Sequence, residues 1–126
     1  MAKKKVLIVE DEAIAALGLE ALMEGWGYEI CESASSGEDA VEKAGACRPD
    51  IILMDVNLGG GMDGIEAARI ICSKKMVPVI FISGYSAEIT KKRAGFFNAV
   101  DYIEKPIDFD ELQKKLHDLL NPAPRK

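Results

Sequence analysis

Four short apolar runs, each closed by a particular polar residue, constrain most of what this chain can become. Val6–Val9 ends at Glu10 and Asp11, and Ile51–Met54 ends at Asp55. Val79–Ile82 ends at Ser83, and Val100–Ile103 runs through Glu104 to Lys105 and Pro106. Apolar and β-branched runs of this length, bounded by turn signals, read as buried strands. In an open parallel sheet the ligand crevice lies outside the carboxyl ends of the strands. The spacing therefore predicts that acids, one hydroxyl and one lysine converge at one rim, a place for a divalent metal and a phosphoryl group.

Helix-like segments fill the gaps between these runs. Lys5–Val9 is followed by a helix from Ala13 to about Gly25, with Ile14, Leu17 and Ala21 on one face and Leu19, Leu22, Met23 and Trp26 beside it. Gly25-Trp26-Gly27 supplies its stop. Tyr28–Ala34 reads as a second strand. Ser35 to Asp39 then has the look of a helix start, since short polar side chains cap free N–H groups and acids favour the positive helix end. Ala40, Val41, Ala44 and Cys47 follow at helical spacing until Arg48-Pro49-Asp50 breaks the pattern. Beyond strand three, Val56–Met62 carries Gly59-Gly60-Gly61 and is a loop, and Asp63 opens a helix with Ile65, Ala68, Ile71 and Cys72 inward. The fourth strand is read as Val77–Ile82 and the fourth helix, mostly polar, as Ser86–Ala94. The fifth helix runs from about Asp108 to Leu120 with a stripe of Phe109, Leu112, Leu116, Leu119 and Leu120.

Five strand–helix repeats fit one doubly wound α/β domain with right-handed crossovers. The flavodoxin-like strand order 2-1-3-4-5 is the solution for five parallel strands. The chain has 126 residues, enough for one core and not two. Residues 1–121 form that domain in this reading, and 122–126 begin a tail or linker.

The net charge is −5, which argues against nucleic acid or an anionic membrane as a direct partner. The N-terminal lysines Lys3, Lys4 and Lys5 precede only a four-residue apolar run, short of the roughly seven residues of a signal peptide, and nothing in the chain approaches the roughly twenty of a membrane span. A cytoplasmic location follows as the default. Cys31, Cys47 and Cys72 are odd in number and form no C-x-x-C pair. They read as small buried hydrophobes in a reducing compartment. His117 is the only histidine and lies off the apolar stripe of the last helix, so no histidine-based triad, metal site or phosphohistidine donor can be built.

Strands one and three are neighbours in the expected sheet, so Glu10, Asp11 and Asp55 face one another. Two like charges about 4 Å apart repel by roughly 4 kcal/mol at an effective dielectric of 20. Mg²⁺ would offset that, as a hard cation that takes carboxylates, waters and phosphate oxygens together. Asp55 ends an apolar run before a loop, where a carboxylate can act as nucleophile and form an acyl phosphate. Lys105 would pair with a phosphoryl oxygen, and Ser83 would donate to another.

At these residues the chain resembles a response-regulator receiver domain, the chemotaxis-regulator-like phosphoacceptor module of bacterial two-component signalling. KVLIVEDE, PDIILMDVNL, MDGIEAARII, PVIFISGYS and DYIEKPID carry the resemblance, which covers Val6 to about Leu120. It implies that Asp55 is the phosphorylated aspartate. Asp11 and Asp55 are then direct ligands of Mg²⁺ (or Mn²⁺), Asn57 offers its backbone carbonyl, and Glu10 acts through water. Ser83 follows the phosphoryl group, Lys105 pairs with it, and the bond before Pro106 is cis. Tyr102 is the aromatic switch residue, and Asn57 and Tyr85 tune dephosphorylation. The implied partners are a sensor histidine kinase or phosphotransfer protein and a downstream target or fused output domain. A second copy of the chain would pair through helix four, strand five and helix five. The chain would be no conventional enzyme, catalysing only its own phosphorylation and dephosphorylation.

The loop VNLGGGMDG is one residue longer than the commoner MP-x-MDG form and lacks its proline. Three other readings share parts of the pattern. A haloacid-dehalogenase-type phosphatase needs a second aspartate two residues after the nucleophile, where Asn57 stands. A flavodoxin-like electron carrier would bring a flavin phosphate against Glu10, Asp11 and Glu12, which repel it. A receiver-like module that binds partners without phosphorylation would not need the full acid, hydroxyl and lysine set.

Overall fold

Strands that are apolar on both sides need cover on both faces, and the helices of this chain provide it. The computed structural model describes residues 3–94 and 100–121. The tail expected at 122–126 lies outside them. Along the chain run β1 (Lys5–Val9), α1 (Ala13–Gly25), β2 (Glu29–Ile30), α2 (Gly37–Cys47) and β3 (Ile51–Asp55). They are followed by α3 (Gly64–Lys74), β4 (Val79–Ser83), α4 (Ala87–Ala94), β5 (Val100–Glu104) and α5 (Phe109–Leu120). The five strands are parallel in the order β2-β1-β3-β4-β5, as the sequence predicts.

Alternate strand residues divide between two cores. Leu7, Val9, Ile52, Met54, Val79 and Phe81 pack on α2 and α3 through Ala40, Ala44, Ile65, Ala68 and Ile71. Val6, Ile8, Ile51, Leu53, Ile80, Ile82 and Ile103 pack on α1 and α5 through Leu19, Met23, Leu112 and Leu116. Each aliphatic side chain so buried contributes about 1.5–3 kcal/mol. Three helix starts are capped by side chains: Ser36 accepts from Asp39 N–H, Asp63 from Glu66 N–H, and Asp108 from Asp110 and Glu111 N–H. Gly27, just past α1, has φ of +96°, which glycine adopts without strain.

Four sequence expectations are corrected. β2 shortens from Tyr28–Ala34 to Glu29–Ile30, with one further bridge from Ala34 to Val9. It is an edge strand, paired on one side only, and the polar Glu32 and Ser33 end its ladder. The inward face of α1 is Ala16, Leu19 and Met23, whereas Ile14 and Leu17 are 80% and 63% exposed. On α5, Phe109 is exposed, while Leu112 and Leu116 are buried and Leu119 and Leu120 half-buried. Finally, Cys31 and Cys47 are not separate small hydrophobes. The β2 exit meets the end of α2 with the two Cα atoms 6.1 Å apart, and the sulfurs are bonded. Cys72 is the free thiol.

Candidate functional site

The strand register builds the site stepwise. Val9 pairs with Met54, so Glu10 and Asp55 come next on adjacent strands. Asp55 pairs with Ile82, which places Ser83 one step beyond, and Ser83 pairs with Glu104, which places Lys105 one step further. β3 and β4 each run one residue past their apolar run, so Asp55 and Ser83 are part of the sheet and are 4% and 2% exposed.

Glu10, Asp11 and Asp55 offer carboxylate oxygens that lie within 4.8 Å of one another. Lys105 Nζ donates to Asp55 Oδ2 at 3.1 Å, and the Asn57 N–H donates to Asp55 Oδ1 at 3.0 Å. Both acceptor oxygens of Asp55 are thereby oriented. Gly59 N–H reaches Asp11 Oδ2 at 3.3 Å, tying the glycine-rich loop to the acid cluster. Burial, then a hydrogen bond to Asp55, then the Asp55 charge push Glu10 up to about 8. A protonated Glu10 is how the cluster relieves its own repulsion when no cation is present. Burial works to lower Lys105, but its hydrogen bond and charge contact with Asp55 outweigh that and raise it.

These residues fit a hard divalent cation. Octahedral Mg²⁺ binds oxygen at about 2.1 Å, so ligands on opposite sides of it stand about 4.2 Å apart. The observed oxygen spread is close to that span, and the donors are carboxylates, which such an ion prefers.

Ser83 and Lys105 are linked through the backbone, since Lys105 N–H donates to the Ser83 carbonyl at 2.8 Å. The Ser83 hydroxyl accepts from Tyr85 N–H at 3.0 Å. The Lys105–Pro106 bond is cis, as the resemblance implies. Tyr102 is half-buried, with its ring stacked on Phe81 at 6.1 Å and 24°. Tyr85 points its ring largely into solvent, and Asn57 is exposed. His117 is exposed on α5, as expected.

Two contributors escape sequence reasoning. A Cβ on Gly64 would stand 2.2 Å from the Asp55 carbonyl oxygen, so only glycine lets α3 start directly against β3. Its signal in the sequence is a glycine placed just after the capping Asp63. The second is Arg93, whose guanidinium pairs with Asp63 while Arg69 Nη2 donates to the Arg93 carbonyl at 2.8 Å. Together they fasten α4 to the start of α3, and no local spacing announces that. The crevice also opens onto a hollow of 720 Å³ that runs from Glu10, Asp55 and Lys105 across α1 to Ile107 and Phe109.

Comparison with known proteins agrees with this geometry. The family model described as response regulator receiver domain matches residues 6–117. The chain is 37% identical over 109 residues to the transcriptional regulatory protein PdtaR of Mycobacterium tuberculosis, covering 86% of this chain and 53% of that protein. It is 36% identical to ZraR of Klebsiella oxytoca, with 91% of this chain and 26% of that protein covered. Thus it spans about half and about a quarter of these relatives. Among solved structures, the response regulator domain of Thermotoga maritima CheB superimposes with a TM-score of 0.85 at 30% identity, covering 98% of this chain and 100% of that one. The receiver domain of the Pseudomonas aeruginosa sensor histidine kinase PA1611, solved with magnesium coordinated in its active site cleft, gives 0.81 at 30% identity, with 94% and 98% covered. The chain belongs to the response regulator receiver domain family. Among the described residues no helix is long and apolar enough to cross a membrane.

Proposed function

We propose that Asp55 accepts a phosphoryl group from the phosphohistidine of a sensor kinase or phosphotransfer protein, in a Mg²⁺-dependent reaction. The observation that carries this is the buried Asp55 carboxylate, held between the Asn57 amide and Lys105 within a cluster of three acids. An Asp55 oxygen attacks phosphorus, the donor's P–N bond breaks, and an acyl phosphate forms. Asp11, Asp55 and the Asn57 carbonyl would hold Mg²⁺, or Mn²⁺ in its place, with Glu10 acting through water. The bound cation supplies positive charge against the phosphoryl oxygens. Lys105 moves from Asp55 Oδ2 to a phosphoryl oxygen and keeps its charge throughout. The donor's helices would lie over the hollow beside α1, where apolar Leu22, Ile107 and Phe109 adjoin Asp55.

Ser83 reports the event. Its hydroxyl accepts from Tyr85 N–H, which leaves the O–H free to donate toward a phosphoryl group on Asp55. Movement of that loop frees Tyr102 to repack, which alters the α4–β5–α5 surface met by a downstream target, a fused output domain or a second copy. Asn57 and Tyr85 border the path of attacking water and set the lifetime of the acyl phosphate. On this reading residues 1–121 are a cytoplasmic signalling unit, with 122–126 a tail or linker start, and the only reactions it promotes are its own phosphorylation and dephosphorylation.

Acetyl phosphate with Mg²⁺ should add one phosphoryl group by intact mass, and Asp55→Asn should abolish the addition. Labelling that persists in Asp55→Asn would remove the assignment. Beryllofluoride with Mg²⁺ should shift the backbone resonances of Ser83 and Tyr102; unchanged shifts there would rule out the switch while leaving the acceptor intact.

A further inference from the structure

Cys31 follows β2 and is 4% exposed, while Cys47 ends α2 and is half-buried. The bond between them spans sixteen sequence positions and closes a loop holding the β2 exit and all of α2. That loop supports the acid cluster from outside. The Ala34 carbonyl accepts from Glu10 N–H at 3.0 Å. Gly37 lies so close to Met62 that a Cβ there would be 2.9 Å from it. The pair is therefore a covalent clasp on the strut behind Glu10 and the Gly59–Gly61 loop.

We propose that Cys31 and Cys47 are a reversible thiol–disulfide modification site, set by the ratio of small cellular thiols such as glutathione to their disulfides. This rests on the cytoplasmic placement proposed above, since a disulfide in such a reducing compartment is usually transient and either catalytic or redox-sensing. Cys47, the less buried of the two, is the entry point. A glutathione thiolate attacks it, the S–S bond breaks, and Cys31 leaves as a thiolate that takes a proton from water. A second glutathione thiolate attacks the mixed disulfide, releasing glutathione disulfide and the Cys47 thiolate, which is also protonated. Two glutathione thiols are oxidised and one protein disulfide is reduced. Cys72 stands apart on α3, with its Sγ–H directed at the Val77 carbonyl at 3.5 Å, and serves as an internal reference.

The test equilibrates the full chain in glutathione buffers of graded ratio, quenches with acid, alkylates after denaturation and reads intact mass. Expected is a single step from one alkylated thiol to three within the series, together with a melting temperature roughly 10 °C higher for the bonded form. A bond that survives the most reducing buffer, or never forms in the most oxidising one, overturns the proposal. So does a stable glutathione adduct on one cysteine alone. Cys47→Ser should lose both the step and the dependence of melting on buffer; a melting temperature that still follows the buffer would also overturn it. If that variant does not fold, the mass steps of the unaltered chain decide the matter. None of these readouts depends on Asp55, so the clasp and the phosphoacceptor reading can fail separately.

Discussion

The two flanks of the acidic crevice are fastened in different ways. On the α2–α3 side the backbone itself is packed: Gly64 against the Asp55 carbonyl, Gly37 against Met62, and a disulfide at the far end of α2. On the α4 side, among the described residues, the attachments are polar side chains. Thr90 is buried, but Glu88, Ile89, Lys91, Lys92 and Arg93 are exposed, and Arg93 and Arg69 supply the link to α3. Close packing has few alternative arrangements, whereas exposed hydrogen bonds and ion pairs open at small cost. On the proposed function, the close-packed flank would hold the carboxylates in register, and the polar flank is where a charge placed on Asp55 would be read out.

Glycine substitution tests this contrast most strongly. Gly64→Ala should cost about 3 kcal/mol and lower the melting temperature by about 10 °C, because the added Cβ meets backbone that cannot move aside. Gly84→Ala, beside Ser83 on the other flank, meets nothing within 4 Å and should leave the melting temperature within about 2 °C. Equal losses at the two positions, read by thermal unfolding, would erase the distinction.

A second effect lies between the flanks, in the metal-free cluster. Glu10 is pushed up to about 8 chiefly by burial and Asp55. A folded value above the ordinary 4.5 means that stability present at low pH is lost as pH rises through about 8. Discounted for solvent screening of a half-exposed side chain, the loss is about 1 kcal/mol. Glu10→Gln should therefore raise the melting temperature by about 4 °C at pH 9 without Mg²⁺ and change it little at pH 5. A gain of equal size at both pH values would show that charge is not the cause.

The same contrast explains what the sequence could reveal. The strands and the convergence of Glu10, Asp11, Asp55, Ser83 and Lys105 at their ends follow from apolar runs and their polar ends, which are local signals, and strand order follows from the fold solution for five parallel strands. The buried face of α1 does not follow, because Ile14, Ala15, Ala16, Leu17, Leu19, Leu22 and Met23 put apolar residues nearly all round it. Only packing onto β1 and β2 selects Leu19 and Met23 over Ile14 and Leu17. Cys31 and Cys47 carry no spacing signature, since their meeting depends on how α2 lies across the sheet. Gly64 looks like any residue after a helix cap until the Asp55 carbonyl is placed beside it. Long-range packing, rather than chemistry, is what stayed out of reach.

The smallest expected effect concerns the tie between the flanks. Arg93 pairs with Asp63, which also caps α3 through Glu66 N–H. Burial works to raise the Asp63 carboxyl, but the Glu66 N–H and the Arg93 guanidinium outweigh it and hold the carboxyl below its ordinary 3.8. A depressed folded value contributes stability that is present above 3.8 and lost as pH falls through the folded value. Because the pair is partly exposed and screened by solvent, Arg93→Ala should cost only about 0.5 kcal/mol at pH 7, or roughly 2 °C in melting temperature. The difference between variant and parent should shrink as pH falls below 3.8 and through the depressed folded value, since protonated Asp63 no longer holds Arg93. The cap to Glu66 survives in the variant, so α3 should keep its helical content by circular dichroism. A loss of several kcal/mol, or a difference independent of pH, would mean that α4 is packed as firmly as α2 and α3, and the movable side of the crevice would have to be sought elsewhere.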